Sequence, residues 1–248
     1  MSTHTSPSAA ERLARYDAHV ASAAYLVDNV SPWAEVHVGT GNAKTGCVNE
    51  ATMPGLCCHK SARTSCGISG CYAMTLQSIY PEYYWCLVRN TALRRRDADG
   101  YYETFFAAAE AAGKPLRVNE SGEVENLEQL RAMFAAARRH PGVTTIGYTK
   151  RPELLEAIGR ECPPNVFLRY SAWTGDAEGA ALAHANGVPT CTVSEDWDKV
   201  QCPNQRRAEE NKKRKAAGLE PLPAWTCAMC AAHGCGCASR RDVVLHLH

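Results

Sequence analysis

The chain has 248 residues, 45% of them hydrophobic and 21% charged, with a formal net charge of +1. This composition builds a packed core and excludes global disorder, and the near-neutral balance by itself points to neither a nucleic-acid nor a membrane partner. No apolar run approaches the ~20 residues that span a bilayer, and residues 1–10, rich in Ser and Thr, hold no apolar signal core, so the expected compartment is the cytoplasm.

Residues 9–27 carry Ala, Leu, Tyr and Val on one stripe and predict a helix, ended by Ser31-Pro32-Trp33. Residues 35–38, Glu-Val-His-Val, alternate and predict a first strand. A Gly39-Thr40-Gly41-Asn42 turn and a cysteine-rich loop to Gly70 follow. Helices are expected at 71–78, 81–95 and 97–112, with Pro81 in a first turn and Gly113-Lys114-Pro115 as a stop. A repeating rhythm then sets in. Strands are expected at 116–118, 143–148, 165–170, 188–193 and 243–247, and helices at 126–140, 152–158, 176–185 and 205–217. The 126–140 helix places Leu127, Leu130, Met133, Phe134 and Ala137 on one face.

Six strands separated mostly by helices predict an α/β fold with a parallel sheet, open or barrelled. The expected organisation is an N-terminal helical extension (1–34), a β/α core (35–200) and a C-terminal cysteine-rich segment that completes it (201–248). Such folds keep their chemistry at the carboxyl ends of the strands. Here those ends carry Asn42, Lys44, Glu120, Glu123, Thr149, Lys150, Ser171, Trp173 and Glu195.

The chain holds thirteen cysteines, six of them between Cys47 and Cys86. In a reducing compartment, dense cysteines read as ligands or catalysts rather than as disulfides. Cys58, Cys66 and Cys71, with Cys57 beside Cys58, lie on one glycine-punctuated loop. Three thiolates there suit a 4Fe-4S cluster with one iron open to a ligand; zinc completed by His59 or another cysteine is the other reading the pattern leaves. A second group comprises Cys202, Cys227, Cys230, Cys235 and Cys237. It suits a closed site, either zinc or an auxiliary cluster. Cys86, Cys162 and Cys191 read as core thiols, and Cys47 as distant from the rest.

Gly41-Asn42-Ala43-Lys44-Thr45-Gly46, the cysteines ending in Cys71-Tyr72-Ala73, Arg89-Asn90, the 117–123 stretch Arg-Val-Asn-Glu-Ser-Gly-Glu, Tyr148-Thr149-Lys150 and Arg169-Tyr170-Ser171-Ala172 together resemble the phage gene product 88 domain family. The Cys202-Pro203 pair, the Cys227 group and Leu245-His246 are similar to its cysteine-rich end. The likeness covers roughly residues 35 to 248 and implies a phage protein working in a bacterial host's cytoplasm. The chain also resembles, distantly, the radical S-adenosylmethionine enzymes. In those a partial (β/α)6 TIM-like barrel carries a three-cysteine loop after its first strand and a Gly-Gly-Glu motif after its second. Here Ser121-Gly122-Glu123 takes the second place, while the usual Cys-x3-Cys-x2-Cys spacing is absent.

That resemblance implies one or two 4Fe-4S clusters and S-adenosylmethionine as a cofactor; the phage kinship adds the expectation of a small-molecule or nucleotide substrate, or nucleic acid itself, and without an apolar span no membrane partner is expected, while no oligomeric state is specified. Glu123, Lys150 and Glu120 are the candidate catalytic groups. Asn42, Lys44, Ser121, Gly122, Ser171 and Trp173 are the candidate cofactor contacts. Arg94-Arg95-Arg96 and the basic run from Arg206 to Lys215 read as solvated helix faces, with phosphate contact as the sharper alternative. A zinc- or cluster-stabilised module that binds nucleic acid or senses redox state, without turnover, is the competing expectation.

Overall fold

The computed structural model describes residues 7–39, 45–69, 71–173, 175–193 and 202–245. The turn holding Asn42 and Lys44, together with Glu195, Trp197, His246 and His248, lies outside the described residues.

Helix α1 (Ala9–Asp28) opens on a capping box in which Ser8 and Glu11 satisfy each other's backbone amides. Strand β1 (Val48–Asn49) follows, then a 3-10 turn (Lys60–Arg63) and helices α2 (Cys66–Ser69), α3 (Tyr72–Ile79), α4 (Pro81–Arg96) and α5 (Ala98–Ala111). The β/α rhythm continues through β2 (Leu116–Val118), α6 (Leu127–Arg139), β3 (Thr145–Thr149), a 3-10 turn (Pro152–Leu154) leading into α7 (Leu155–Glu161), β4 (Val166–Ala172), α8 (Ala177–Ala185) and β5 (Thr190–Val193). Helices α9 (Pro203–Ala216) and α10 (Cys227–His233), a 3-10 turn (Gly236–Ala238) and β6 (Val243–Leu245) complete the described chain. None of the helices among the described residues is long and apolar enough to cross a membrane.

The expected first strand is displaced. Residues 35–38 form none, although Val36 and Val38 pack on the core. The His37 backbone pairs with the Asn90 side-chain amide, at 2.9 and 3.0 Å, rather than with a neighbouring strand. The alternation reflects packing, and the ladder begins ten residues later at Val48. Helix α10 and the short turns around the cysteines are not anticipated by the sequence rhythm either.

All six strands are parallel and stand in sequence order, β1-β2-β3-β4-β5-β6. Parallel crossovers are right-handed, so a sheet that never reverses its order stacks its helices on one face. The main core shows this: Tyr101 and Phe105 of α5, Leu130 and Phe134 of α6, and Leu155 of α7 pack against Leu116, Val118, Val166 and Leu168. Side chains alternate along a strand, so Arg117, Ile146, Tyr148, Phe167, Arg169 and Cys191 belong to the other face. That face is covered by the C-terminal cysteine segment. Ala238, Cys227 and Ala228 pack on Ile146 and Phe167. The buried Arg169 guanidinium donates to the carbonyls of Gly236, Cys237, Ser239 and Arg241.

Helix α6 is tied to α5 by His140. Its Nε2 meets Glu103 at 2.9 Å and its Nδ1 meets Glu110 at 2.8 Å. Glu103, then Glu110, hold the ring protonated and raise its pKa. A raised folded-state pKa stabilises fully below the unfolded value of about 6.5 and is lost as pH rises through the folded one. The urea midpoint of the wild type should therefore exceed that of His140→Gln most near pH 6, with the gap closing by pH 9. A gap independent of pH would show that the ring contributes by packing alone.

Candidate functional site

The sequence segments that carry the site converge because the loops after β1, β2 and β3 meet at one end of the sheet. A buried ion pair sets their frame. Glu50, just past β1, accepts from Asn119 N at 2.8 Å, from the Tyr101 hydroxyl at 2.9 Å and from Arg94 Nη1 at 3.4 Å. Arg94 Nη2 also donates to the Glu123 carbonyl at 2.6 Å. Neither side chain of the pair reaches solvent. Arg94 is thus an internal strut and not part of a basic surface. Arg95 pairs with Glu125, and Arg96 donates to the carbonyls of residues 30–32.

The Ser121-Gly122-Glu123 loop is drawn tightly onto residue 52. Gly122 has φ +66°, and a Cβ there would lie 2.9 Å from the Thr52 carbonyl and closer still to its Oγ1. Gly122→Ala should cost about 1–3 kcal/mol in urea unfolding, from left-handed strain and overlap together. An unchanged midpoint would mean that the loop sits free of residue 52. The Glu123 carboxylate then ties three segments together. It accepts from His59 N at 3.3 Å, Thr149 Oγ1 at 2.9 Å and Lys150 N at 2.8 Å. Lys150 Nζ in turn bonds Ser171 Oγ at 2.7 Å and lies 5.8 Å from the Trp173 ring.

These loops and the inner sheet face enclose a cavity of about 470 Å³, within the usual range for a small-molecule site. Cys58, Cys66 and Cys71 line it on one side, and Cys202, Cys227, Cys230 and Cys237 on another. Glu120, Ser121, Gly122, Glu123, Lys150 and Ser171 also stand on its wall. All thirteen thiols are free. The Tyr16 side chain of α1 faces Cys58, Cys71 and Cys66 together, and burial with these thiols raises its phenol pKa.

The structure separates the paired cysteines. Cys58 lines the cavity and receives the Gly55 amide at 3.3 Å. Cys57 turns away into an apolar cluster with Leu87 and Val88, so its thiol serves packing. Cys235 stands behind Cys230, which it contacts, while Cys237 is on the wall. Cys47 is nearer the second group than its position in the sequence suggests: burial and neighbouring Cys227 push its thiol up to about 12. Cys191 is buried in β5 and also lines the cavity. Cys86 is only half-buried, beside an exposed Trp85, so its expected core placement is corrected.

Burial raises the Cys58 and Cys71 thiols, while the Ala73 and Met74 amides at the start of α3 pull Cys71 down. The Gln205 and Asn204 amides at the start of α9 do the same for Cys202. Amides at a helix N-terminus favour a thiolate, which suits sulfur ligands. Among the described residues, no three His, Cys, Asp or Glu side chains converge closely enough to hold one metal ion.

The family model described as gene product 88 matches residues 32–244. The chain belongs to the gene product 88 family. No curated protein and no solved structure matches it. The family assignment agrees with the resemblance read from the glycine, cysteine and Tyr-Thr-Lys motifs. Within this family member, the residues that sequence reasoning passed over are Arg117, Tyr148 and Tyr16. The first two were signalled by strand alternation, since each points opposite to the helix-packed positions of its strand.

Proposed function

We propose that this gene product 88 family member is an iron–sulfur enzyme of the radical S-adenosylmethionine-like kind, acting on a nucleotide or a nucleic-acid-related molecule. The observation that carries the reading is that two cysteine groups, more than a hundred residues apart in sequence, line one cavity at the carboxyl ends of parallel strands. A structural zinc knot has no need of such a cavity. In this reading the sheet is a partial (β/α)6 barrel, supported by its unreversed strand order and its helices on one face.

Cys58, Cys66 and Cys71 would hold a 4Fe-4S cluster, and Cys202, Cys227, Cys230 and Cys237 a second. A cluster with an open iron supplies redox chemistry and a coordination position. The chain's own residues position what meets it: Ser121 and Gly122 offer backbone groups, Lys150 and Ser171 a cation and a hydroxyl, and Glu120 a carboxylate whose pKa burial raises. Glu123 acts by holding the loops in register.

Anaerobic purification tests the reading. A brown protein with about four or eight irons per chain and a broad absorption near 400 nm is expected, as is cleavage of S-adenosylmethionine after reduction. A colourless protein with one or two zinc ions would overturn it, in favour of a binding module that uses the exposed basic helix α9.

A further inference from the structure

We propose that Arg117 is the oxyanion-binding residue of the cavity, and that the molecule bound there carries a carboxylate or a phosphate group. The inference names the charge of the substrate and rests on reading the cavity as a substrate site.

Arg117 lies in the middle of β2, between Leu116 and Val118, both of which pack into the helical core. Alternation therefore directs its side chain to the inner face, where it lines the cavity. Four charged side chains line the cavity among the described residues, and three of them have bonded partners. Glu120 accepts from Asn49, Glu123 from three donors, and Lys150 donates to Ser171. Arg117 forms no side-chain hydrogen bond or ion pair among the described residues, and its Nε is sealed from solvent without a partner. Arg89, Arg94, Arg151 and Arg169 also have an unbonded Nε, but each engages a partner through an outer nitrogen: Arg89 the Cys86 sulfur, Arg94 Glu50 and the Glu123 carbonyl, Arg151 Glu153 and the Cys57 carbonyl, and Arg169 the C-terminal carbonyls.

Arg117 is half-buried, and a guanidinium partly shielded from water without a counter-charge is costly; it is tolerated where an anion completes the site. Its planar fork matches the two oxygens of a carboxylate or a phosphate. The groups facing Arg117 leave that role open. Tyr148 and Tyr72 present phenols, and Glu120 acts on it through space from beyond ion-pair distance. Cys227, Cys202 and Cys47 also lie within its electrostatic reach. A metal–thiolate centre at those cysteines is the other anion the guanidinium can serve, so the experiment must separate the two.

Inorganic phosphate and acetate are titrated separately into the full-length, anaerobically purified wild type, Arg117→Met and Arg117→Lys, by calorimetry and thermal shift. Metal content and visible absorption are recorded for each. The wild type should bind at least one of the two anions. Arg117→Met should weaken that binding about tenfold or more, with Arg117→Lys between them and the metal content unchanged. Without anion, the Met variant should melt no lower than the wild type, because a half-buried charge without a counter-ion has been removed. Equal binding by the Met variant, no binding by the wild type, or failure of both variants to fold would overturn the proposal. Loss of metal or a shifted spectrum in Arg117→Met would assign the guanidinium to the thiolate centre instead. A zinc-containing protein that still binds phosphate through Arg117 would overturn only the iron reading.

Discussion

Arg94→Met is expected to destabilise the protein by about 3–5 kcal/mol, the cost of stranding a buried charge. Methionine fills much of the arginine's volume, so a cavity is not the main loss. What is lost is the one cation that pairs with Glu50 among the described residues, leaving a carboxylate that is 0% exposed with the Tyr101 hydroxyl and the Asn119 amide as its described donors. The double variant Arg94→Met, Glu50→Gln should recover part of the deficit, because an amide tolerates that environment better than an unpaired carboxylate. Urea unfolding of the four proteins gives the coupling. A single-variant loss below about 1 kcal/mol would contradict an ionised pair, since buried pairs broken on one side cost several times that. The damage should also be local. Arg94 holds the Glu123 carbonyl, so amide exchange should quicken through 119–125 before it does in α6. The cavity wall is therefore built on an ion pair that itself never touches the cavity.

Much of this arrangement was legible in the sequence, and the exceptions have identifiable causes. Strand β2 and helix α6 fall where expected because their apolar periodicity is strong and their ends are marked by Gly113-Lys114-Pro115, Asn126 and Pro141-Gly142. β1 was missed because it is two residues long, and its identity comes from its register with Leu116 and Arg117, which a linear pattern does not display. Residues 35–38 imitated it because packing alone produces the same alternation. Arg94 was hidden among three arginines at a helix end, and only the path of residue 50 singles it out. Cys57 and Cys58 are chemically equal neighbours; the apolar surface of α4 decides which is buried and leaves the other for the cavity. The convergence of the two cysteine groups could not be foreseen from spacing. It depends on the C-terminal segment folding back over Ile146 and Phe167, a contact between residues about 80 apart in the chain.

That convergence leads to the second large effect. Serine at Cys58, Cys66 and Cys71 together is expected to lower the iron content from about eight to about four per chain. Serine at Cys202, Cys227 and Cys237 together should remove the other half. The first three thiols surround Tyr16 beneath α1. The others cluster near Arg117, on the side of the cavity formed by α9 and α10. Two centres that share a cavity but not ligands should be lost independently. Cys57→Ser is the control: it places a hydroxyl in the cluster of Leu87 and Val88, next to Thr91, and should reduce stability by about 1 kcal/mol with iron unchanged. Iron and acid-labile sulfide analysis of the three proteins decides the matter. If either triple variant lost all its iron, the two cysteine groups would have to be ligands of one shared centre spanning the cavity. The space now assigned to substrate would then belong to the metal.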